Sequence, residues 1–237
     1  MSNIIFLLSI GIILIGLGAN LLVSSTESLS AKLNISHFVS SFIFIGLATS
    51  SPEIFITILS TMNNESNIAI GNALGSNIAN IAFVFALSLL FVKINKADFK
   101  NAINHEMIGF FKCLVFYIIL LIPILWNNKI DFYESIGLFI VLLLFVIWYK
   151  KSLKKDENKN IKTSEDNIYF ILFLLVIGLT VLLEGTDLFL TGAHALAKHI
   201  NISNYVIGLS ITAIGSSLPE LAASMVSVKK KNIDFVI

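Results

Sequence analysis

The chain has 237 residues, of which 56% are hydrophobic and 13% charged, and its formal net charge is +1. That balance lies far from a soluble domain and reads as an integral membrane protein. All sixteen basic residues are lysines, most of them gathered in a few polar gaps, so no basic surface for nucleic acid is apparent, and the single Cys113 excludes an internal disulfide and a thiolate metal cluster.

Crossing about 30 Å of hydrocarbon takes about 20 apolar residues. Such runs predict spans near 4–25, 37–62, 68–92, 107–126, 131–149, 168–190 and 204–228. The first has no lysine before it and no small-residue cleavage site after it, so it is expected to be retained and not removed as a signal peptide. His37, His105, His194 and His199 show no metal-ligand pairing at helical spacing and read as loop or interface residues. The aromatic runs Phe83 to Phe91 and Phe110 to Tyr117 read as lipid-facing or packing surface. The gap from Lys150 to Asn167, with six lysines and four acids, is too short for a domain and reads as a linker. Lys32, Lys93, Lys96, Lys100, the linker lysines and Lys229 to Lys231 fall on one side of the membrane, against Lys129 and Lys198 on the other. The lysine-rich side is then cytoplasmic and the N-terminus outside.

The two ends of the chain align without a gap at an offset of 167 residues. Ile10-Gly11 matches Ile177-Gly178, Gly18 matches Gly185, and Asn34-Ile35-Ser36 matches Asn201-Ile202-Ser203. Val39 matches Val206, and Ser50, Pro52, Glu53 and Ser60 match Ser217, Pro219, Glu220 and Ser227. Five crossings separate the copies, so they enter the membrane from opposite faces. The fold class is therefore all-α and polytopic, built on an inverted-topology repeat as in secondary transporters. The expected organisation is a first repeat over 1–149, a cytoplasmic linker over 150–167 and a second repeat over 168–237.

Each copy carries a short acidic motif inside an apolar run, Ala48-Thr49-Ser50-Ser51-Pro52-Glu53 and Gly215-Ser216-Ser217-Leu218-Pro219-Glu220. A carboxylate at membrane depth costs about 2.5–3.5 kcal/mol on insertion scales, so two placed alike point to a function. Pro52 is expected to free carbonyls near Ala48 and Thr49, and Pro219 those near Gly215 and Ser216. Carbonyls, hydroxyls and a carboxylate make a hard-oxygen set that suits calcium or sodium and not zinc or copper. Thr49 and Glu53 share a helix face, as do Ser216 and Glu220. Downstream, Gly71-Asn72-Ala73-Leu74-Gly75-Ser76-Asn77-Ile78-Ala79-Asn80 places Ser76 and Asn80 on one face of the third span, with Gly71 and Gly75 spaced for close helix approach. Glu184 and Asp187 in the sixth span read as solvated near the outer mouth, or as recruiting cations.

On these motifs the chain resembles the calcium/cation antiporter superfamily, most closely its short prokaryotic sodium/calcium exchanger-like members. The resemblance implies two inverted halves of five transmembrane helices each, with cation sites between the second, third, seventh and eighth helices. Carried over by motif position, it implies that Glu53 and Glu220 coordinate calcium and share sodium. Thr49, Ser50, Ser216, Ser217, Ser76 and Asn80, with the carbonyls of Gly46 and Ala213, would complete the sites. Ala48 stands where the family usually has glycine, and Ser216 replaces the usual threonine. The implied activity is sodium/calcium antiport by alternating access, the first and sixth helices sliding across the core. It would run without ATP or a cofactor, in a prokaryotic plasma membrane, with the lipid bilayer and the two ions as partners and one chain as the transport unit.

Asn67-Ile68-Ala69-Ile70 aligns with Asp234-Phe235-Val236-Ile237, one residue before a second Gly-Asn motif would begin. The second repeat is therefore expected to be truncated at the start of its third helix, and these residues alone to give no sodium-driven calcium flux. Proton/calcium or potassium-dependent exchange is the alternative within the class, and an inactive fragment is another. A cation channel is disfavoured by the inverted repeat, and an intramembrane enzyme by the lack of paired aspartates or a serine and histidine at membrane depth.

Overall fold

A computed structural model of the chain describes residues 1–35, 37–91, 131–152, 167–202 and 213–230, with 112, 115, 116, 118–120 and 122 besides. The expected span at 107–126, the linker, the first part of the seventh expected span and the chain end fall largely or wholly outside these. The described elements are all helical. They are α1 (Ser2–Leu33), α2 (His37–Ser40), a π-helical turn π1 (Ser41–Gly46), α3 (Leu47–Thr49), α4 (Ser51–Met62), α5 (Ser66–Ala79), a second π-helical turn π2 (Asn80–Phe85), α6 (Ala86–Phe91), α7 (Phe132–Ser152), α8 (Ile168–His199), α9 (Ala213–Ser216) and α10 (Leu218–Lys229). The chain divides into two compact units, Met1–Ile94 with Ile161–Ile237, and Asn95–Asn160. The second contains α7, an apolar helix; all that follows concerns the first.

Helices α1 and α8 are each 32 residues long, about 48 Å at 1.5 Å per residue, well beyond the expected spans and the hydrocarbon thickness. An asparagine in the left-handed region follows each, Asn34 as the cap of α1 at φ 53° and Asn201 just after the α8 cap Ile200 at φ 61°. The next amide reaches back in the same way in each, Ile35 N to Ser30 O at 3.1 Å and Ile202 N to Ala197 O at 2.9 Å. Asparagine tolerates this conformation better than most residues with a side chain, which explains why the Asn-Ile-Ser triplet occurs at both ends.

The two long helices pack on glycines. A methyl group on Gly11 would meet the Phe189 backbone, one on Gly18 the Leu182 backbone, one on Gly178 the Leu22 backbone, and one on Gly185 the Ile15 backbone. As one index rises the other falls by the same step, so α1 and α8 run antiparallel. Their buried leucines, Leu22, Leu175 and Leu182, join Ala19, Val23, Leu29, Ile45, Ile171 and Ala223 in the core. Gly71 and Gly75, expected to mediate close approach, have no described residue within 4 Å of an added methyl. Outside the core, Phe6, Ile13, Leu17, Phe55 and Ile81 are exposed, as lipid solvation permits.

Among the described residues, three helical stretches are long and apolar enough to cross a membrane, Ser2–Leu33, Ile68–Ser88 and Ile168–His199. A fourth is bent by 51° between Ser41–Thr49 and Ser51–Met62. At the far end of α10, Lys230 Nζ donates to Ser24 Oγ at 2.6 Å and to Glu27 Oε2 at 3.1 Å. That pair joins the end of α10 to the last third of α1.

Candidate cation site

The bend in the second span follows from its sequence. Helix α3 stops at Ser50 (φ −83°, ψ 7°), and Pro52 falls in the first turn of α4, where its missing N–H costs nothing. The same break recurs at Ser217 (φ −95°, ψ 7°) before Pro219 and α10. Each restarted helix begins on matching bonds, Ile54 N to Ser50 O at 3.1 Å and Leu221 N to Ser217 O at 3.0 Å, and each runs for 12 residues.

The glutamates therefore sit in the first turn of a helix, where the positive end of the helix dipole favours negative charge. Both are buried, Glu53 at 8% exposure and Glu220 at 3%, and near enough for their charges to interact. Ser50 Oγ donates to Glu220 Oε1 at 3.4 Å, a long bond that joins the two copies of the motif. Glu53 Oε2 and Glu220 Oε2 are buried without a hydrogen-bond partner, and so are Ser217 Oγ and Asn80 Oδ1. An unpartnered buried oxygen costs about 1–3 kcal/mol, more when charged, so four in one set of motifs call for a ligand that the chain does not supply. Among the described residues, no three acidic, histidine or cysteine side chains converge, so any cation there would be held by two carboxylates and neutral oxygens.

The other expected site residues divide. Thr49 is fully buried; its hydroxyl bonds Ile45 O at 3.0 Å and Gly46 O at 3.3 Å. Gly46 O also accepts Ser50 N at 3.0 Å, and because the single proton of the Thr49 hydroxyl lies nearer Ile45 O, Gly46 O keeps a lone pair. Ser216, the counterpart of Thr49, is exposed, so the two halves do not present these hydroxyls alike. Ala213 opens α9. Ser76 is half-buried and its hydroxyl bonds Ala73 O at 3.3 Å. Ala48 O accepts the Ser51 hydroxyl at 2.7 Å, so the expected free carbonyl is re-satisfied locally. Glu184 and Asp187 are exposed on α8, Glu184 at its middle beside the Gly185 crossing and not near an end.

The π-helical turns explain how the buried face persists. Residues four apart drift by about 40° on an α-helix, and one extra residue in a π turn turns the face back. Turn π1 keeps Ser41, Ile45, Thr49 and Glu53 buried, and π2 keeps Val84 and Ser88 buried below Asn80. Ser88, whose buried hydroxyl also lacks a partner, is not among the expected site residues. Its only sequence signal is two four-residue steps from Asn80 through Val84.

A family profile described as sodium/calcium exchanger protein matches residues 3–150 and 170–237, which takes in both acidic motifs. An uncharacterised membrane protein of Methanocaldococcus jannaschii is 31% identical over 93% of this chain and 70% of its own length. The sodium/calcium exchanger MaX1 of Methanosarcina acetivorans is 27% identical over 94% of this chain and 74% of its own. Among solved structures, a sodium/calcium exchanger from Methanococcus jannaschii superposes with a TM-score of 0.74 at 27% identity, covering 99% of this chain and 77% of that one. With duplicated Pro-Glu breaks, buried paired carboxylates and a profile match over most of its length, this all-α polytopic membrane protein belongs to the sodium/calcium exchanger family.

Proposed function

We propose that the protein is a secondary-active antiporter that exchanges sodium for calcium across the plasma membrane by alternating access. The observation that carries this reading is the pair of buried, repeat-equivalent carboxylates, each with one unpartnered oxygen, beside the unpartnered Ser217 Oγ and Asn80 Oδ1. Calcium takes six to eight oxygens at about 2.3–2.6 Å, and sodium accepts the same donor type. Glu53 and Glu220 supply the charge, and Thr49, Ser50, Ser76, Asn80, Ser216, Ser217 and the carbonyls of Gly46 and Ala213 supply neutral oxygens. One calcium or several sodium ions can then satisfy the same set, and this competition couples the two gradients. The antiparallel pair α1 and α8 is the element that moves across this site, with one chain as the transport unit.

The test is calcium uptake into sodium-loaded proteoliposomes of the full-length protein. Uptake that collapses when the sodium gradient is dissipated is expected. Uptake driven by a pH gradient in sodium-free medium would replace this reading with proton/calcium exchange.

A further inference from the structure

The motif on α5 contains two polar residues that the site does not use, Asn77, which bonds Ala73 O within its own helix at 2.7 Å, and Asn72. Asn72 Nδ2 donates to the backbone carbonyl of Glu53 at 3.0 Å and to Thr57 Oγ1 at 3.1 Å, both on α4. A carbonyl can only accept, so the amide nitrogen and not the amide oxygen must face α4. The bond ends on the backbone of the very residue whose carboxylate anchors the site.

Few buried side chains set the register of α5 against α4. Apart from Glu53, Ser60 is the only buried residue of α4, and on α5 Ala69 is buried near the start while Ile68, Ile70, Leu74 and Ile78 are exposed and, among the described residues, none comes within 4 Å of a methyl on Gly71 or Gly75. The turn between them is held by backbone bonds, Glu65 N to Ser60 O at 2.8 Å and Asn64 N to Thr61 O at 3.1 Å, with Asn64 at φ 62°. Such a turn limits the hairpin's opening but leaves rotation of α5 about its own axis weakly restrained. A slip of one residue moves a helical side chain by about 1.5 Å along the axis and about 100° around it. Ser76 and Asn80 follow Asn72 at four-residue steps, so whatever fixes Asn72 on the Glu53 carbonyl fixes their direction too.

We propose that Asn72 is a positioning residue, a register pin that holds α5 on the backbone of Glu53 and so keeps Ser76 and Asn80 aimed at the carboxylates without touching the ion. The assignment rests on the exchange reading above. Coordination distances must hold to within about 0.5 Å, so a loosened pin weakens ion binding before it slows turnover.

The experiment measures sodium-driven calcium uptake by the full-length protein in proteoliposomes, with KM and kcat taken separately, for wild type, Asn72→Ala, Asn72→Asp, Thr57→Val and the Asn72→Ala/Thr57→Val double variant. Asn72→Ala is expected to raise KM for calcium about tenfold, equivalent to about 1.4 kcal/mol, with kcat changed less. Thr57→Val, which loses one of the two bonds, raises KM about threefold. The double variant stays near Asn72→Ala, because the Thr57 hydroxyl acts through Asn72. Asn72→Asp is the decisive case. A carboxylate keeps the size and adds an oxygen but has no N–H for the Glu53 carbonyl, so KM rises at least as far as for Asn72→Ala. Wild-type or tighter calcium affinity in Asn72→Asp, or Asn72→Ala and Thr57→Val effects that multiply in the double variant, overturns the pin. Should Asn72→Ala fail to fold, Thr57→Val decides alone: a raised KM supports the pin and an unchanged one overturns it. A wild type without sodium-driven uptake sinks the exchange reading, and the pin with it.

Discussion

Glu53 and Glu220 are tolerable at membrane depth only with a counter-charge or a proton, since a bare buried carboxylate is among the costliest groups to hold. Even at the dielectric constant of water, a carboxylate about 2.4 Å from a divalent cation gains about 3.5 kcal/mol, more than a hundredfold in affinity. Glu53→Gln and Glu220→Gln should therefore each lower calcium transport by about a hundredfold or more while leaving membrane insertion intact, because the neutral amide is cheaper to insert. Uptake assays paired with quantitation of membrane-inserted protein check this, and wild-type transport in either variant would refute the site. Both glutamates were legible in the sequence because duplication put the same rare residue twice in register. Asn72 was visible only as a letter of a motif. Its partner is a backbone carbonyl, which no side-chain pattern advertises, and Ser88 is buried by the π-turn that precedes it.

At the scale of elements, the α1–α8 crossing depends on backbone meeting backbone. A methyl on Gly18 would press on the Leu182 amide and the Gly178 carbonyl, and neither can move without displacing its helix. Gly16, two residues away, has open space around it. Alanine raises helix propensity by up to about 1 kcal/mol at either position, but overpacking costs about 1–3 kcal/mol at the crossing alone. Gly18→Ala should then lower the thermal midpoint in detergent, and Gly16→Ala should leave it unchanged or raise it. Equal behaviour of the two would show that the crossing carries no stability. Spacing misled at Gly71 and Gly75, where four-residue separation looked like a packing motif and the described neighbours leave the face open. The bend at Pro52 was legible, since proline dictates it. The π turns were not, because a wider turn has no residue signature.

For the whole molecule, the structural matches at the 167-residue offset converge on one operation. Asn34 and Asn201 adopt the same left-handed conformation, Ser50 and Ser217 break their helices at the same point, and α4 and α10 run for equal lengths. Because α1 and α8 are antiparallel, these equivalent asparagines stand at opposite ends of the helix pair. On the lysine distribution, Asn34, near Lys32 and at the end of α1 that carries the Glu27–Lys230 pair, is expected on the cytoplasmic side and Asn201 outside. With Cys113 replaced by serine, a cysteine at position 201 should react with a membrane-impermeant thiol reagent in intact cells. A cysteine at position 34 should react only after permeabilisation. Labelling of both from one side would break the inverted relation, and with it the basis for the proposed shared ion site. Opposite labelling with the sides exchanged would keep the repeat and reverse only the orientation, so one pair of measurements separates the symmetry of the fold from its direction in the membrane.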